Sequence, residues 1–205
     1  MLYEVRTYTF APGDLPEFER GFAEALPARV KYSPLGAFWR SEFGALNQTI
    51  HVWPYDDYAQ RQEARAAAAQ DPHWPPRHTA TLLHMESEIC VGAPFMRDWS
   101  GEQELGGVYE MRTYTYKPGT IPTVIERWSE AIVHREKFSP LAAAWYTDVG
   151  SLNRWTHIWP YASLAERDEV RAASFEDPNW PPDTREFLLS MESRILTPAP
   201  FSPLR

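Results

Sequence analysis

At 205 residues, 43% of them hydrophobic, the chain is long enough to bury one or two substantial cores. A net charge of −8 with no basic run excludes a general nucleic-acid binder, because counterion release needs clustered Lys and Arg. The single cysteine, Cys90, excludes an intrachain disulfide and any C-x-x-C metal or redox motif; between Ile89 and Val91 it reads as a buried, inert thiol.

MLYEVRTYTF at the start has strand character and lacks the basic and apolar regions of a secretory signal. No apolar run reaches the length of a membrane span, so a cytoplasmic protein without a membrane partner is expected. Tyr3 to Phe10 is rich in aromatic and β-branched residues and predicts a strand, closed by a Pro12-Gly13 turn. Leu15, Phe18, Phe22 and Leu26 then recur at helical spacing, and Pro27 predicts a bend near the helix end. A second strand near Ala37 to Phe43 turns at Gly44 into a third, Gln48 to Trp53. Asp57 and Gln60 stand at N-cap and N3 spacing for a second helix. After Trp74-Pro75-Pro76 a short helix is expected to end near Leu83, followed by a last strand from about Glu86 to Val91.

All of this is written twice. A shift of 106 residues aligns 3–95 with 109–201 without a gap, with about 45 identities. YEVRTYTFAPG matches YEMRTYTYKPG, LNQTIHVWPY matches LNRWTHIWPY, DPHWPP matches DPNWPP and LLHMESEI matches LLSMESRI. The chain therefore divides into one repeat at 1–97, a polar Gly-bearing linker at 98–107 and a second repeat at 108–205. The fold class is α+β, each repeat having the ferredoxin-like order β-α-β-β-α-β. A four-stranded sheet with helices on one face leaves the other bare. Two such faces closing on each other give a pseudo-twofold barrel, within one chain or, as a homo-oligomer, between chains.

The combination Y-E-x-R-T-Y-T with its following P-G, G-x-L-N-x-x-x-H-x-W-x-Y, D-P-x-W and M-E-x-x-I resembles the NIPSNAP family, in both copies and over nearly the whole chain. The resemblance implies a dimeric α/β-barrel fold. That barrel also serves cofactor-free monooxygenases, lactone isomerases and haem proteins such as chlorite dismutases and aldoxime dehydratases. Some NIPSNAP members are linked to mitochondria and vesicle handling, a role not carried over here because no mitochondrial presequence is seen.

Strand alternation divides the polar residues between two faces. Taking Tyr3, Val5 and Thr7 as the helix-facing set places Glu4, Arg6 and Tyr8, with Glu110, Arg112 and Tyr114, inside the barrel. The same rule puts Asn47, Thr49, His51 and Trp53 inside, opposite Asn153, Trp155, His157 and Trp159, with Trp39 and Trp145 facing the helices. Such a set either forms a satisfied network that fixes sheet closure or lines a pocket, and its presence in both copies favours the first. As a pocket, His51 and His157 would serve as acid or base and the arginines would hold an anionic or carbonyl oxygen.

Asymmetry between the copies adds Tyr146 and Asp148, which stand where the first copy has Arg40 and Glu42, as a hydrogen-bond donor and a proton acceptor. Arg154 and Trp155 replace Gln48 and Thr49 and mark the place to look for a ligand. The catalytic candidates are thus His51, His157, Tyr146 and Asp148. The binding candidates are Arg6, Tyr8, Asn47, Trp53, Arg112, Tyr114, Asn153, Arg154, Trp155 and Trp159. His78 and His84 lack the i, i+4 spacing of a helical metal pair, so no metal is expected. Haem is a secondary alternative, with His134 on a helix as the axial candidate, and no other cofactor is expected. Arg61/Arg65 and Arg167/Arg171 share helix faces and could bind an anion, but Glu63/Glu169 and Asp71/Asp177 favour surface ion pairing. No nucleotide, serine-hydrolase or zinc-protease motif is present. The expected function is an enzyme or binder that encloses an apolar, carbonyl-bearing compound in the barrel, with proton transfer or cofactor-free oxygen chemistry. The alternative is a non-catalytic scaffold docking through Trp74-Pro75-Pro76 and the Pro94-Phe95 and Pro200-Phe201 ends.

Overall fold

A computed structural model describes residues 1–205. The first repeat forms β1 (Leu2–Phe10), α1 (Leu15–Arg29), β2 (Ala37–Phe43), β3 (Gln48–Tyr55), α2 (Tyr58–Ala68) and β4 (Leu82–Gly92). The second forms β5 (Val108–Tyr116), α3 (Ile121–Arg135), β6 (Ala143–Val149), β7 (Arg154–Tyr161), α4 (Leu164–Phe175) and β8 (Leu188–Pro198). Local signals explain most boundaries. Proline in the first turn opens α1 and α3, where its missing N–H costs nothing. Asp57 accepts from the Gln60 N–H at 2.8 Å and Ser163 from the Glu166 N–H at 3.2 Å, so both copies cap the second helix alike with different residues.

Two details differ from the sequence expectation. The α1 helix continues through Pro27 to Arg29 and equals α3 in length. The short helix expected after Trp-Pro-Pro is absent in the first half and is a single 3-10 turn, Arg185–Phe187, in the second. The two prolines remove backbone donors, and the chain beyond them finds partners outside a helix: the Thr81 N–H donates to the Asp14 carboxylate at 2.7 Å, its carbonyl accepts from the Ala11 N–H at 3.0 Å, and Leu82 pairs with Phe10.

The eight strands close into one barrel in the order β1-β3-β2-β8-β5-β7-β6-β4, every pair antiparallel. The two halves meet at β2–β8, where Trp39 lies opposite Pro198, and at β4–β6, where Cys90 lies opposite Thr147. The arms beyond the last strands cross over. Phe201 packs in the first half at 4.9 Å from Phe38, and Phe95 in the second at 6.1 Å from Trp155, ring centre to ring centre. The candidate docking ends are therefore spent inside the fold. No helix is long and apolar enough to cross a membrane.

The face assignment of the strands is the reverse of the sequence expectation. Tyr3, Trp39, Ile50 and Val52 meet Tyr109, Met111, Trp145 and Ile158 in one core fed by both halves, which is the barrel interior. Phe10, Phe38, Trp53 and Tyr55 instead meet Phe18 and Phe22 of α1, and Tyr116, Trp155, Trp159 and Tyr161 meet Val124 and Trp128 of α3. Glu4, Arg6, Tyr8 and His51 thus face the helices. Both sheet faces are buried, so apolarity did not identify the helix side.

The barrel interior is filled. Tyr3 stacks on Trp145 at 5.6 Å, and Trp99 from the expected surface linker plugs one end against Tyr3, Trp39 and Trp145. Its indole donates to the Ala142 carbonyl at 2.7 Å. At the other end Thr7, Glu86, Glu88, Arg154, Glu192 and Arg194 leave a cleft of only about 60 Å³. Cys90 is buried in this wall, and burial pushes its thiol up to about 12, as an inert side chain requires.

Candidate functional site

Since the barrel is full, the cavities lie elsewhere: one in each half, between the sheet and its helices. Each is built around a buried carboxylate. Glu4 accepts from Arg6 at 2.8 Å, from Arg61 at 3.0 and 3.1 Å, from Arg65 at 3.1 Å and from the Ser87 hydroxyl at 2.9 Å. Glu110 repeats this with Arg112 at 2.8 Å, Arg167 at 2.7 Å, Arg171 at 3.4 Å and Ser193 at 2.9 Å. Burial alone would raise both carboxyls, but the surrounding guanidiniums outweigh it and hold each at about 2. The helix arginines expected to form surface pairs are therefore the ones that tie α2 and α4 to the sheet.

Above this floor, Arg6 donates through Nε to the Tyr8 hydroxyl at 2.7 Å, and Arg112 to that of Tyr114 at 2.8 Å. Arg29 of α1 donates to the Tyr55 hydroxyl at 2.9 Å and to Ser33 at 2.8 Å while lying over the Trp53 ring at 4.2 Å. Arg135 does the same with Tyr161, Ser139 and Trp159. Trp53 donates to Nδ1 of His51, and Trp159 to Nδ1 of His157. A neutral imidazole accepting at Nδ1 carries its hydrogen on Nε2. Burial, followed by the nearby arginine charge, depresses His51 to about 3 and His157 well below its ordinary value, so both rings are neutral. Neither Nε2–H has a partner, and both rings are at least 97% buried.

The first cavity, about 420 Å³, is lined by Arg6, Tyr8, His51, Trp53, Arg29 and Arg65, with Phe18, Phe22, Trp74, Leu82 and Met85 forming apolar walls. The second, about 320 Å³, has Arg112, Tyr114, His157, Trp159, Arg135 and Arg171 in the matching places. No Asp or Glu lines either cavity. The differences are few. His78 becomes Thr184, whose hydroxyl lies 2.9 Å from that of Tyr116, and Ala69 becomes Phe175.

Of the residues singled out from sequence, Arg6, Tyr8, His51 and Trp53 come together, as do Arg112, Tyr114, His157 and Trp159, on the helix side of the sheet instead of inside the barrel. The others do not join them. Asn47 and Asn153 hold φ of 55° and 59° in the hairpins, a backbone role that Asn tolerates. Arg154 lies 3.6 Å from Glu88 at the barrel mouth. Trp155 is fully buried against Trp128. Tyr146 packs at the edge of the second core, and Asp148 is exposed, accepting from the Tyr58 hydroxyl of the other half at 2.7 Å. Sequence reasoning missed Arg29, Arg65, Arg135 and Arg171 as cavity residues. Their identity in both copies on helix faces was the available signal.

Neither His51 nor His157 fits a haem iron on donor chemistry. An iron ligand must offer an imidazole lone pair, but His51 and His157 commit theirs to tryptophan and present N–H. His134 lies outside both cavities with Nδ1 3.4 Å from Asp177. These histidines do not fit haem. No three His, Cys, Asp or Glu side chains converge as a metal site would require.

The NIPSNAP family model matches residues 3–97 and 109–203. Protein NipSnap homolog 3A of Homo sapiens is 33% identical over 219 aligned residues, spanning 100% of this chain and 86% of its own length. The NipSnap homolog of Dictyostelium discoideum is 27% identical, spanning 96% and 87%. Among solved structures, a NIPSNAP domain protein from Burkholderia xenovorans is 36% identical over 48% of this chain and 100% of its own, with a TM-score of 0.43. A candidate monooxygenase from Lactobacillus acidophilus covers 96% of this chain and 92% of its own at a TM-score of 0.63. At 11% identity it shows a shared fold alone.

Proposed function

The chain belongs to the NIPSNAP family as a tandem of two such domains, and from that premise we propose that each domain binds a small organic molecule in the cavity between its sheet and helices. The observation that carries this reading is the unpartnered, buried Nε2–H of His51 and of His157 in otherwise well-satisfied surroundings. A buried donor without an acceptor costs about 1–3 kcal/mol, a penalty that a ligand oxygen removes. The cavities have the size and the apolar walls with few polar groups typical of small-molecule sites. Titration with the neutral, carbonyl-bearing fluorophore 6-propionyl-2-(dimethylamino)naphthalene tests it. Two sites per chain are expected, with one lost in Ala69→Trp at unchanged circular dichroism. No saturable binding would overturn the reading.

A second reading is favoured by His78, which lines the first cavity alone with a buried, unpartnered Nδ1. In that reading the first cavity does acid–base chemistry on its ligand and the second only binds. Glu4 is a poor base, because the arginines around it hold its carboxyl at about 2 and, with Ser87, occupy its oxygens, and His51 already carries its hydrogen on the free nitrogen. Turnover of a bound carbonyl compound that disappears in His78→Ala but survives Thr184→Ala would establish it.

A further inference from the structure

We propose that the molecule these cavities take is an organic carboxylate: a planar, singly charged oxyanion on an aromatic or alkyl body. This rests on the reading of the cavities as ligand sites and adds the chemical class of the ligand.

The argument is one of donors without acceptors. At the head of the first cavity stand the Nε2–H of His51, the Tyr8 hydroxyl, which already accepts from Arg6, and the guanidiniums of Arg6 and Arg65. The only acid among them, Glu4, is saturated by Arg6, Arg61, Arg65 and Ser87. With Arg29 added, four guanidiniums surround one carboxylate, so the local charge is strongly positive in a chain whose net charge is −8. His157, Tyr114, Arg112, Arg171, Arg135 and Glu110 reproduce the arrangement. A neutral donor entering at this head would meet the histidine N–H and the guanidiniums, which offer it no acceptor. An entering anion would satisfy them, with charge-assisted bonds roughly twice as strong as neutral ones.

The apolar remainder selects among anions. Phe18, Phe22, Trp74, Leu82 and Met85 line the rest of the cavity, so the charge must sit on an apolar body. A monoanion loses less hydration on entering such a site than a phosphate dianion, and a planar carboxylate suits the fork of an arginine. Since His51 and His157 are N–H donors that stay neutral, they add hydrogen bonds without adding charge. The arginines set the charge preference and the histidines the acceptor preference.

Calorimetric titration of the intact chain with matched probes tests this: 2-naphthoate, 2-naphthalenemethanol, 2-naphthylmethylammonium and inorganic phosphate. Naphthoate is expected to bind at least about ten-fold tighter than the alcohol, with the ammonium not binding. Its affinity should fall several-fold between about 20 and about 300 mM salt, as screening of a partly exposed charged site requires. Arg65→Gln, at a half-exposed position, should lower naphthoate affinity by a larger factor than that of the alcohol, with circular dichroism showing that the variant is folded. Equal or tighter binding of the alcohol would overturn the carboxylate assignment and leave the cavities as sites for neutral molecules. Displacement of naphthoate by phosphate at comparable concentration would overturn it in favour of a phosphate head group. Binding of none of the probes would remove the ligand-site reading along with it.

Discussion

Trp53 donates its indole N–H to Nδ1 of His51 at 2.8 Å, and Trp159 repeats the contact with His157 at 2.7 Å. In each pair the two residues stand two apart on one strand face, so the repeated H-x-W of the sequence is a device for fixing a tautomer. Its consequence lies on the other edge of the ring, where the buried Nε2–H is left without a partner.

Trp53→Phe removes the donor while keeping an aromatic body. The His51 ring should then populate both tautomers, visible as a change in its 15N shifts, while His157 keeps the Nε2–H form. Stability should fall by about 1–3 kcal/mol from the lost bond and the partly vacated volume. An unchanged His51 tautomer in the variant would show that another contact fixes the ring.

The buried ionisable groups set the acid limit of the fold. His51 is depressed from 6.5 to about 3, so between those values the unfolded chain binds a proton that the folded chain refuses. Stability is therefore full above about pH 6.5 and declines as pH falls toward 3, by about 1 kcal/mol per pH unit for each histidine. His157 acts in the same direction. Glu4 and Glu110 are depressed from 4.5 to about 2, so their contribution is present above about pH 4.5 and is lost as pH falls through 2. Urea unfolding between pH 7.5 and 4 should show a stability loss that the His51→Gln/His157→Gln double variant flattens in the upper part of that range.

Two differences between the repeats compensate each other. Phe38 contacts Phe22 at 4.7 Å and Phe201 at 4.9 Å. In the second half Ala144 replaces Phe38, and Trp155 replaces Thr49. Trp155 reaches the equivalent neighbours, Trp128 at 5.4 Å and Phe95 at 6.1 Å. The bulk is delivered from the adjacent strand instead. Phe38→Ala alone should cost about 3–5 kcal/mol, and Phe38→Ala/Thr49→Trp should recover a large part of it. Strict additivity in a double-mutant cycle would show that the two positions do not share that volume.

Much of this architecture was legible in the sequence because duplication repeats whatever the fold needs. Strand order, helix spacing, the Asp57 and Ser163 caps and the family resemblance all rest on local pattern. What alternation could not settle was which of two faces met the helices. Tyr3, Val5 and Thr7 look like a helix-facing set, but they fill a barrel whose other wall is Tyr109 and Met111. Glu4 looks like a cavity polar, but it is held by Arg61 and Arg65 from α2. That pairing joins residues 57 and 61 positions apart, beyond any local signal. Gln48-Thr49 and Arg154-Trp155 lie outside both cavities, and their difference has a related origin: a residue that differs between copies can be answering a neighbour that also differs.

Trp99 is where a connecting segment becomes part of the core. It is buried among Tyr3, Trp39 and Trp145 and packs over Gly36, where an added Cβ would stand 2.6 Å from the indole ring. Trp99→Ala should unplug that end of the barrel and cost about 3–5 kcal/mol, the usual penalty for a large aromatic truncation. Gly36→Ala should also destabilise, by about 1–3 kcal/mol, through overpacking against the same ring. Because both act on one contact, the double variant should be less destabilised than the sum of the two, since the space left by the indole accommodates the new methyl. The Val52 carbonyl, 3.1 Å from the same Cβ position, limits how complete the relief can be. Chemical denaturation of the four proteins measures the coupling, and a coupling near zero would mean that Trp99 does not hold Gly36 to glycine.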